Sequence, residues 1–355
     1  MSDALTSLVD RVLAAGADRS PLQIRGGGTK DFYGNTPTGS LLDTRALNGI
    51  VAYEPHELVI TALAGTPLAE IERTLNEHGQ MLAFEPPHFG ESATIGGCVA
   101  AGLAGPRRSS AGYTYGSLRD FLLGARLLDG HGNVLAFGGT VIKNVAGYDV
   151  ARILAGSLGI LGVIVDVSLK VLPRPRSEAT LRFEMDEATA LRQLNAWGGE
   201  PLAISASAWS DGVLSVRLSG ARAAVRSACA RLGGEAIEAD SFWRDVREHT
   251  AAFFDGDAPL WRLSLPSTAE PVGIDAPQLI EWGGALRWVR TNLPAQEIRR
   301  LAHSLGGHAT LFRGGDRTQG VFSPLSPALA GIHQRLKAQF DPRRIFNPGR
   351  MFETL

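Results

Sequence analysis

The chain has 355 residues, which is more than a single hydrophobic core usually organises, so we expect two domains. Hydrophobic residues make up 44% and charged residues 20% of the sequence, which is ordinary for a globular protein. The formal net charge of −1 and the absence of long basic runs argue against binding to nucleic acid or to an anionic membrane surface.

Apolar runs alternate with turns in the first half of the sequence. An apolar run before Arg25 predicts a strand that leads into a glycine-rich loop. Residues 58–64 predict a second strand, and Thr66 with Pro67 predicts the N-cap and first residue of the helix that follows. Gly79 stands where that helix is expected to end, in a position typical of a C-cap.

Two further patterns in the first half predict β-structure. Residues 121–128 and 133–137 flank Asp129-Gly130-His131-Gly132, a pattern that is typical of a β-hairpin. Residues 160–172 are apolar and β-branched, with polar residues alternating against valine and leucine towards the end. That alternation predicts a strand with one covered face.

The second half of the sequence has a different pattern of residues and predicted elements. It contains all six tryptophans, and the Pro173-Arg174-Pro175-Arg176 stretch before it indicates a domain boundary near residue 173. Its predicted elements follow the order strand, helix, strand, strand, helix, strand, which is that of a ferredoxin-like α+β sandwich. These elements cover residues 179–183, 188–197, 202–209, 213–218, 222–232 and 235–238.

The first of three glycine clusters is Arg25-Gly26-Gly27-Gly28-Thr29-Lys30. Adjacent glycines permit positive φ and let successive N–H groups converge on a phosphate, so this loop suits a pyrophosphate. The loop does not fit the Rossmann fingerprint, because Asp31 stands where Gly or Ala is required. It does not fit the Walker pattern either, because Lys30 lacks the preceding loop. A tight turn without a ligand is the alternative interpretation.

The other two clusters also have two interpretations each. Residues 92–105 carry mainly small side chains, which suit either a large flat ligand lying against backbone or a close-packed helix. Residues 156–164 lead straight into the strand predicted to end at Leu172, so they suit either a ligand or a buried strand entry.

Together these motifs resemble the vanillyl-alcohol-oxidase/p-cresol-methylhydroxylase (PCMH-type) family of FAD-binding domains. The resemblance rests on the first cluster, on Thr94-Ile95-Gly96-Gly97, on residues 156–164, and on Tyr115-Gly116 and residues 143–149 between them. Residues 340–350 (FDPRRIFNPGR) are similar to the closing motif of the family's 2-hydroxy-acid branch. Over nearly its whole length, the chain resembles the shorter FAD-binding (E) subunits of bacterial glycolate oxidases.

The resemblance implies an α+β fold with three segments. A PCMH-type FAD-binding domain of two subdomains would cover residues 1–172, a ferredoxin-like α+β cap would cover residues 173–339, and residues 340–355 would return to the FAD-binding domain. The first loop would bind the pyrophosphate, the second cluster would line the flavin, residues 162–164 would present backbone to the adenosine half, and Asn347 would lie near the isoalloxazine ring. The implied FAD-binding residues are Arg25, Gly26, Gly27, Gly28, Thr29, Lys30, Thr94, Ile95, Gly96, Gly97, Ala101, Gly102, Tyr115, Gly116, Gly162, Val163, Ile164 and Asn347.

The resemblance further implies oxidation of glycolate, a small 2-hydroxy acid, to glyoxylate. The implied partners are a larger FAD-containing glycolate oxidase subunit and an iron–sulfur subunit. Because Thr29 and Lys30 occupy the region where members with covalent flavin often carry a histidine, we expect non-covalent FAD. Two alternatives stay open: a non-catalytic scaffold that supports the larger flavin subunit, and a stand-alone FAD-dependent 2-hydroxy-acid dehydrogenase.

The cap departs from that of the large dehydrogenases in the family, which carry a histidine-rich metal motif. Here only His303 and His308 remain, Gly306-Gly307 separates them, and no nearby carboxylate completes a ligand set, so we expect no metal site. Catalytic residues stay unassigned, because each candidate base or carboxylate clamp has an ordinary structural explanation. These candidates are His308, Arg290, Arg313 and Arg317.

Cys98 and Cys229 are the only cysteines, and two thiols cannot supply the four ligands of a typical iron–sulfur cluster. Electrons from FAD would therefore pass to a partner, to O₂ or to a quinone. The sequence starts without a secretory signal, and its longest uncharged apolar stretch, residues 153–165, is shorter than the roughly 20 residues of a membrane-spanning helix. We expect a cytoplasmic protein that reaches the inner membrane only through partners.

Overall fold

The structure, a computed structural model, describes residues 2–108, 116–139 and 149–355. It is an α+β protein in which the chain up to residue 173 builds a first assembly of helices and strands. Residues 177–313 build a second assembly around one large sheet. No helix in the three described ranges is long and apolar enough to cross a membrane.

The first assembly contains four helices and nine strands in the described residues. In chain order they are α1 (Asp3–Asp18), β1 (Leu22–Arg25), β2 (Ser40–Asp43), β3 (Ile50–Glu54), β4 (Val59–Leu63), α2 (Leu68–Glu77), β5 (Gln80–Met81), α3 (Ile95–Ala101), α4 (Leu118–Phe121), β6 (Leu122–Leu128), β7 (Val134–Gly138), β8 (Val163–Lys170) and β9 (Leu172–Pro173). The predicted strands before Arg25 and at residues 58–64 are confirmed as β1 and β4, and the predicted hairpin is confirmed as β6 and β7.

Strand β8 is the centre of a five-stranded antiparallel sheet with the order β3-β4-β8-β6-β7. The prediction that it has one covered face is wrong, since Asp166 is 6% and Ser168 8% exposed. Both faces are covered because Val163 and Val165 join the core under α1, while Ile164 joins the core around α2 and α3. The buried polar groups are paired across the sheet, Asp166 with Arg126 and Ser168 with Thr61. A central strand can therefore carry alternating polar and apolar residues when the neighbouring strands supply hydrogen-bond partners for the polar ones.

The start of α2 also differs from the prediction. Pro67, not Thr66, is the N-cap, and it offers no side-chain cap. The Thr66 hydroxyl instead accepts the Gly49 N–H at 2.9 Å and donates to the Gly49 carbonyl at 3.1 Å, which ties the segment before α2 to the start of β3. The helix end is as predicted, because Gly79 follows the C-cap with φ of +64°.

The second assembly is built from eight strands and four helices, and a last helix follows it. They are β10 (Ser177–Glu184), α5 (Glu187–Gly198), β11 (Ile204–Ser210), β12 (Val213–Gly220), α6 (Arg222–Leu232), β13 (Glu235–Ile237), α7 (Asp240–Glu248), β14 (Leu260–Ser264), β15 (Gln278–Glu281), β16 (Leu286–Arg290), α8 (Ala295–Ser304), β17 (His308–Arg313) and α9 (Pro327–Phe340).

The sheet order is β13-β10-β12-β11-β15-β16-β14-β17, with antiparallel neighbours throughout. Its first four strands have the predicted ferredoxin-like arrangement. The last four strands form a second unit of similar order, which the sequence did not predict. The two units join through β11 and β15, where Ala208 lies opposite Glu281 and Trp209 opposite Ile280.

The two assemblies meet at a mainly aromatic interface. Tyr33, Ala101 and Leu103 of the first assembly pack in one buried cluster with cap residues that include Trp288 and Phe312. The chain after α9 returns to the first assembly, where the Leu22 N–H donates to the Ile345 carbonyl at 2.7 Å. This return brings Asn347 next to the glycine loop that follows β1.

Candidate functional site

A cleft lies in the first assembly where four segments meet: the loop after β1, helix α3, residues 158–164 and the segment after α9. It consists of two hollows of about 80 and 60 Å³ that share part of their lining. The shared lining residues are Ile24, Gly26, Gly97, Ala100, Leu158 and Asn347. The three glycine clusters and the C-terminal motif of the sequence therefore lie together around this cleft.

The first glycine loop is held by close contact with residues 92–94. A Cβ atom added to Gly27 would lie 1.5 Å from the Ser92 carbonyl oxygen, and one added to Gly26 would lie 2.3 Å from Thr94 Oγ1. The Ser92 hydroxyl donates to the Gly27 carbonyl at 2.8 Å. Glycine is therefore required at position 27 by the Ser92 backbone and favoured at position 26 by the Thr94 side chain.

The same loop presents unused hydrogen-bond donors. Among the described residues, no acceptor receives the backbone N–H groups of residues 26–30. The Lys30 ammonium donates to the His88 carbonyl at 3.1 Å, and burial lowers the pKa of Lys30. Arg25 forms an ion pair with Asp31 at 2.6 Å. Converging backbone N–H groups and a half-buried lysine are a suitable environment for a phosphate group.

Helix α3 supplies the floor of the cleft. Gly97, Ala100 and Ala101 line it, and their spacing of three and four residues places them on one helical face. A Cβ atom on Gly96 would lie 2.6 Å from Ala64 Cβ, so this glycine lets α3 pack closely beside β4. Thr94 caps the helix by accepting the Gly97 N–H at 3.3 Å. Of the two interpretations of this cluster, the close-packed helix is confirmed, and the flat ligand against its small residues stays a prediction.

Asn347 joins two of the cleft's segments. It is 5% exposed, accepts the Ile24 N–H at 2.7 Å and donates to the Leu158 carbonyl at 2.6 Å. Its backbone N–H donates to the Leu22 carbonyl at 2.9 Å. The side chain therefore fixes the spacing between β1 and residue 158, in addition to lining both hollows.

Most of the predicted FAD-binding residues line the cleft, but several lie elsewhere. Ile95 and Val163 are fully buried in the cores beneath it. Gly102 adopts φ of +64° at the end of α3 against Gly156, and Gly116 packs against the Asp120 carboxylate. Tyr115 and residues 143–148 lie outside the described residues. The residues that line the cleft are Arg25, Gly26, Gly27, Gly28, Thr29, Lys30, Thr94, Gly96, Gly97, Ala101, Gly162, Ile164 and Asn347.

Sequence reasoning missed several lining residues. Ala100 was detectable, because a helix capped at Thr94 that turns Gly97 towards a ligand also turns Ala100 towards it. Arg350 lines the cleft and donates to the carbonyls of Asp31, at 2.9 Å, and Asn35, and burial lowers its pKa to about 10. Leu158 and Gly159 lie in the third glycine cluster and Arg350 in the closing motif, so the sequence indicated their segments but not the individual residues. Ile24, Asp31, Thr44 and Ala64 carry no such signal and depend on tertiary packing. The missed residues are Ile24, Asp31, Thr44, Ala64, Ala100, Leu158, Gly159 and Arg350.

The candidate catalytic residues of the cap have structural roles or exposed positions. The Arg290 guanidinium donates to the carbonyls of Phe253, Phe254, Gly256 and Ala258. Arg317 donates to the Gly34 carbonyl at 2.7 Å, and Arg313 lies 4.5 Å from the Phe32 ring centre. His303 lies in the last turn of α8, and exposed His308 begins β17. Within the described ranges, no group of three His, Cys, Asp or Glu residues is placed to hold a metal ion.

Comparison with known proteins gives three findings. Residues 5–150 match the family model of an FAD binding domain. The chain is 48% identical over 353 residues to glycolate oxidase subunit GlcE of Escherichia coli (strain K12), with 99% of both chains covered. Glycolate oxidase subunit GlcD of Bacillus subtilis (strain 168) is 30% identical over 179 residues, which are 50% of this chain and 37% of that relative.

Solved structures add a likeness of fold. A structure of alkyldihydroxyacetonephosphate synthase has a TM-score of 0.65 and 17% identity, and the match covers 97% of this chain and 74% of that one. At this level of identity the match shows a shared fold and carries no statement about activity.

Proposed function

Since the chain belongs to the GlcE family of glycolate oxidase subunits, we propose that it binds FAD in the cleft and serves in a complex that oxidises glycolate to glyoxylate. The observation that carries the proposal is the glycine loop, whose N–H groups at residues 26–30 have no acceptor among the described residues. A buried or half-buried donor group without a partner is costly, and a pyrophosphate would supply the acceptors.

Each segment of the cleft has a proposed part in holding FAD. The loop from Arg25 to Lys30 binds the pyrophosphate, the small face of α3 lies against the flavin, and Gly162 and Ile164, which line the cleft, face the adenosine half. Asn347 and Arg350 hold the loops in place. Bound FAD supplies an acceptor for the two electrons that leave the 2-hydroxy acid. The attachment is non-covalent, and this is supported by the described lining, which contains no His, Cys or Tyr side chain.

We also propose the division into an FAD-binding domain over residues 1–172, a cap over residues 173–339 and a returning segment over residues 340–355. The two separate sheets and the contact between Leu22 and Ile345 support it. A GlcD-like flavin subunit and an iron–sulfur subunit are the proposed partners, since Cys98 and Cys229 are too few to hold a cluster. The two free cysteines support a reducing, cytoplasmic compartment, with contact to the membrane through partners.

We propose that the cleft widens when FAD binds. Ligand pockets usually have volumes of about 300–1,000 Å³, and the two hollows enclose only about 80 and 60 Å³. We therefore expect FAD to stabilise an opened arrangement of the four segments, and the thermal midpoint to rise with FAD concentration.

The variant Ala100→Leu tests the proposal. Ala100 lines both hollows and lies on a helix, so leucine fills the cleft without cost in helix propensity. Gly27→Asp is less informative, because its side chain would collide with the Ser92 carbonyl and disrupt the loop whether or not FAD binds. We expect the visible absorbance of bound flavin to fall at least tenfold in Ala100→Leu, with the circular dichroism spectrum unchanged.

Ala14→Leu is the matched control, since Ala14 is exposed on α1 and does not line the cleft. Full flavin occupancy in Ala100→Leu would place FAD elsewhere and refute the assignment of the cleft. Anaerobic addition of glycolate to the FAD-loaded chain, with and without its partner subunits, then shows which subunits are needed for flavin reduction.

A further inference from the structure

Residues 88–90, which we call the bridge segment, connect the first glycine loop to the cap. On the side of the loop, the Lys30 ammonium donates to the His88 carbonyl at 3.1 Å. On the side of the cap, the N–H groups of His88 and Phe89 donate to the Glu248 carboxylate at 3.1 and 2.8 Å. A side chain at the end of α7 and a side chain of the glycine loop therefore hold the same short stretch of backbone.

Contacts from the cap fix the bridge segment in an uncommon conformation. Phe89 adopts φ of +54°, which costs free energy for a residue with a side chain and persists only where the surroundings hold it. The Phe89 ring packs edge-on against Phe32 at 5.5 Å and His249 at 5.0 Å. Glu248 is the last residue of α7, and Arg247 Nε donates to its carboxylate at 2.8 Å. The carboxylate is therefore itself held in place while it binds the bridge segment.

The Lys30 ammonium has a proton to offer to a ligand. Lys30 lines the larger hollow of the cleft. Among the described residues, its ammonium donates only to the His88 carbonyl and, at 3.4 Å, to the Thr29 hydroxyl. Because an ammonium group carries three protons, one proton has no acceptor in this part of the chain. The position of the His88 carbonyl thus decides where a half-buried positive charge lies in the cleft.

The charge of Glu248 also acts on Lys30. Burial lowers the pKa of Lys30, while Cys98 and Glu248 act in the opposite direction. Burial raises the pKa of Cys98 to about 12, so this thiol is uncharged at neutral pH and the effective negative charge is that of Glu248. The other charged or titratable groups packed around this region are Arg25, Asp31, Arg313, Glu72 and His88.

We propose that Glu248 is a positioning residue of the cap for cofactor binding: through the bridge segment it places the Lys30 ammonium, and through its charge it stabilises the positive charge of that ammonium. The inference rests on the proposed binding of FAD in the cleft, where Lys30 meets the pyrophosphate. Docking of the cap and binding of FAD are then coupled, so each strengthens the other. Glu248 has this effect without contact with FAD.

The coupling gives FAD binding a characteristic pH dependence. Lys30 is protonated below its pKa, which burial places under the ordinary value of 10.5, so FAD affinity declines as the pH rises through that pKa. In Glu248→Gln the opposing charge is lost and the pKa of Lys30 falls further. The decline in FAD affinity therefore begins at a lower pH than in the wild type. Glutamine keeps an oxygen that accepts the Phe89 N–H, so this variant separates the charge from the hydrogen bonds.

The test is a double-mutant cycle on FAD affinity, measured by flavin titration of the full chain at pH 7. We expect Glu248→Gln to weaken FAD binding about threefold, and Glu248→Ala and Lys30→Met about tenfold each, as for the loss of hydrogen bonds to a charged group. Adding Glu248→Ala to Lys30→Met should weaken binding by less than about twofold more, because Glu248 acts through Lys30. Glu91→Gln, which removes a charge at an exposed position beside the bridge segment, is the matched control.

The protonation of Lys30 is measured separately, in the chain without FAD. The sequence has four lysines, so NMR spectra of protein labelled with ¹³C at lysine Cε contain few signals, and the signal missing in Lys30→Arg is that of Lys30. We expect the titration midpoint of Lys30 to move to lower pH in Glu248→Gln and to stay unchanged in Glu91→Gln. A role of Glu248 in folding alone would not move this midpoint.

Additive effects in the double variant, or a Lys30 midpoint that does not move in Glu248→Gln, would overturn the inference. Wild-type FAD affinity in Glu248→Ala refutes this inference alone. A chain that binds no FAD, but whose Lys30 midpoint moves as expected, refutes the proposed function and supports the link between Glu248 and Lys30. Glu248→Gln is nearly isosteric, so it gives a reading even if Lys30→Met does not fold.

Discussion

The Asn347 side chain joins two segments of the cleft, a role that its position in the closing motif does not indicate. Both ends of its amide are used, by the Ile24 N–H and by the Leu158 carbonyl, and its backbone adopts φ of +39°. Gly159 must be glycine beside it, because an added Cβ would lie 2.7 Å from Asn347 Nδ2. One side chain therefore sets the distance between the glycine loop and the third cluster.

We predict that Asn347→Ala weakens FAD binding at least tenfold and lowers the free energy of unfolding by about 2 kcal/mol. The loss corresponds to two buried hydrogen bonds of roughly 1 kcal/mol each. Flavin titration and urea unfolding measure the two effects. Asn347→Gly removes the same amide but tolerates the positive φ, so it separates lost hydrogen bonds from backbone strain. Unchanged FAD affinity in both variants would show that the amide does not position the loops.

At the scale of single residues, the sequence predicted which segments form the cleft better than it predicted the contacts of their residues. The three adjacent glycines predicted a phosphate loop, but contact with Ser92, which explains Gly27, is a tertiary property. Arg350 and Leu158 line the cleft only because distant segments meet there. The sequence motifs contain both residues, but no local pattern shows which members of a motif face the cleft.

Helix α9 carries the main anchor of the returning C-terminal segment. Lys337 and Asp341, one helical turn apart, are both fully buried and form an ion pair at 2.8 Å. The Lys337 ammonium also donates to the carbonyls of Ile160 and Phe346, so all three of its protons are used. Asp341 accepts the N–H groups of Ile345 and Phe346. This anchor fixes the motif that holds Asn347 in place.

We predict that Lys337→Met lowers the free energy of unfolding by about 3 kcal/mol, because it leaves a buried aspartate and two carbonyls without their partner. It should also weaken FAD binding, since residues 345–347 lose their support. Arg335→Met, at an exposed position on the same helix, is the control and should change neither quantity. Urea unfolding measures the change in the free energy of unfolding, and flavin titration measures the change in FAD affinity. An equal effect in both variants would show that helix substitution, and not the buried pair, is responsible.

Among the elements of the second assembly, the sequence predicted the first ferredoxin-like unit but not the second. The first ferredoxin-like unit was found because its strands are seven or eight residues long, except β13, and helices α5 and α6 separate them. The second unit was missed because β14, β15 and β16 have only four or five residues each and an irregular segment precedes β15. Short strands carry too few alternations for the pattern to be recognised.

The two assemblies are joined by a network of charges in which Arg107 and Arg217 are buried, Glu85 is partly buried and Glu178 is exposed. Glu85, from the first assembly, accepts Arg107 at 3.1 Å and Arg217 of the cap at 2.8 Å. Glu178 of the cap accepts Arg107 at 2.7 Å and the Ser219 hydroxyl at 2.6 Å. Two arginines and two glutamates balance each other across the interface, so the network specifies how the assemblies dock and adds no net charge.

This network makes the stability of the whole molecule sensitive to acid. The arginines outweigh burial and lower the pKa of Glu85 to about 2 from its ordinary 4.5. A group whose pKa is depressed by folding stabilises the protein above its unfolded pKa and loses that contribution as the pH falls towards its folded pKa. The contribution of Glu85 is therefore complete at pH 7, and it declines from about pH 4.5 to about pH 2.

We predict that Glu85→Gln lowers the free energy of unfolding by about 3 kcal/mol at pH 7, because both arginines lose a charged partner in the interface. At pH 3 the difference from wild type should shrink to roughly half, since much of the wild-type advantage has been titrated away by then. Urea unfolding at the two pH values measures this, with exposed Glu57→Gln as the control. A difference that does not change with pH would mean that Glu85 acts through packing, and the charge network would then not govern how the two assemblies are held together.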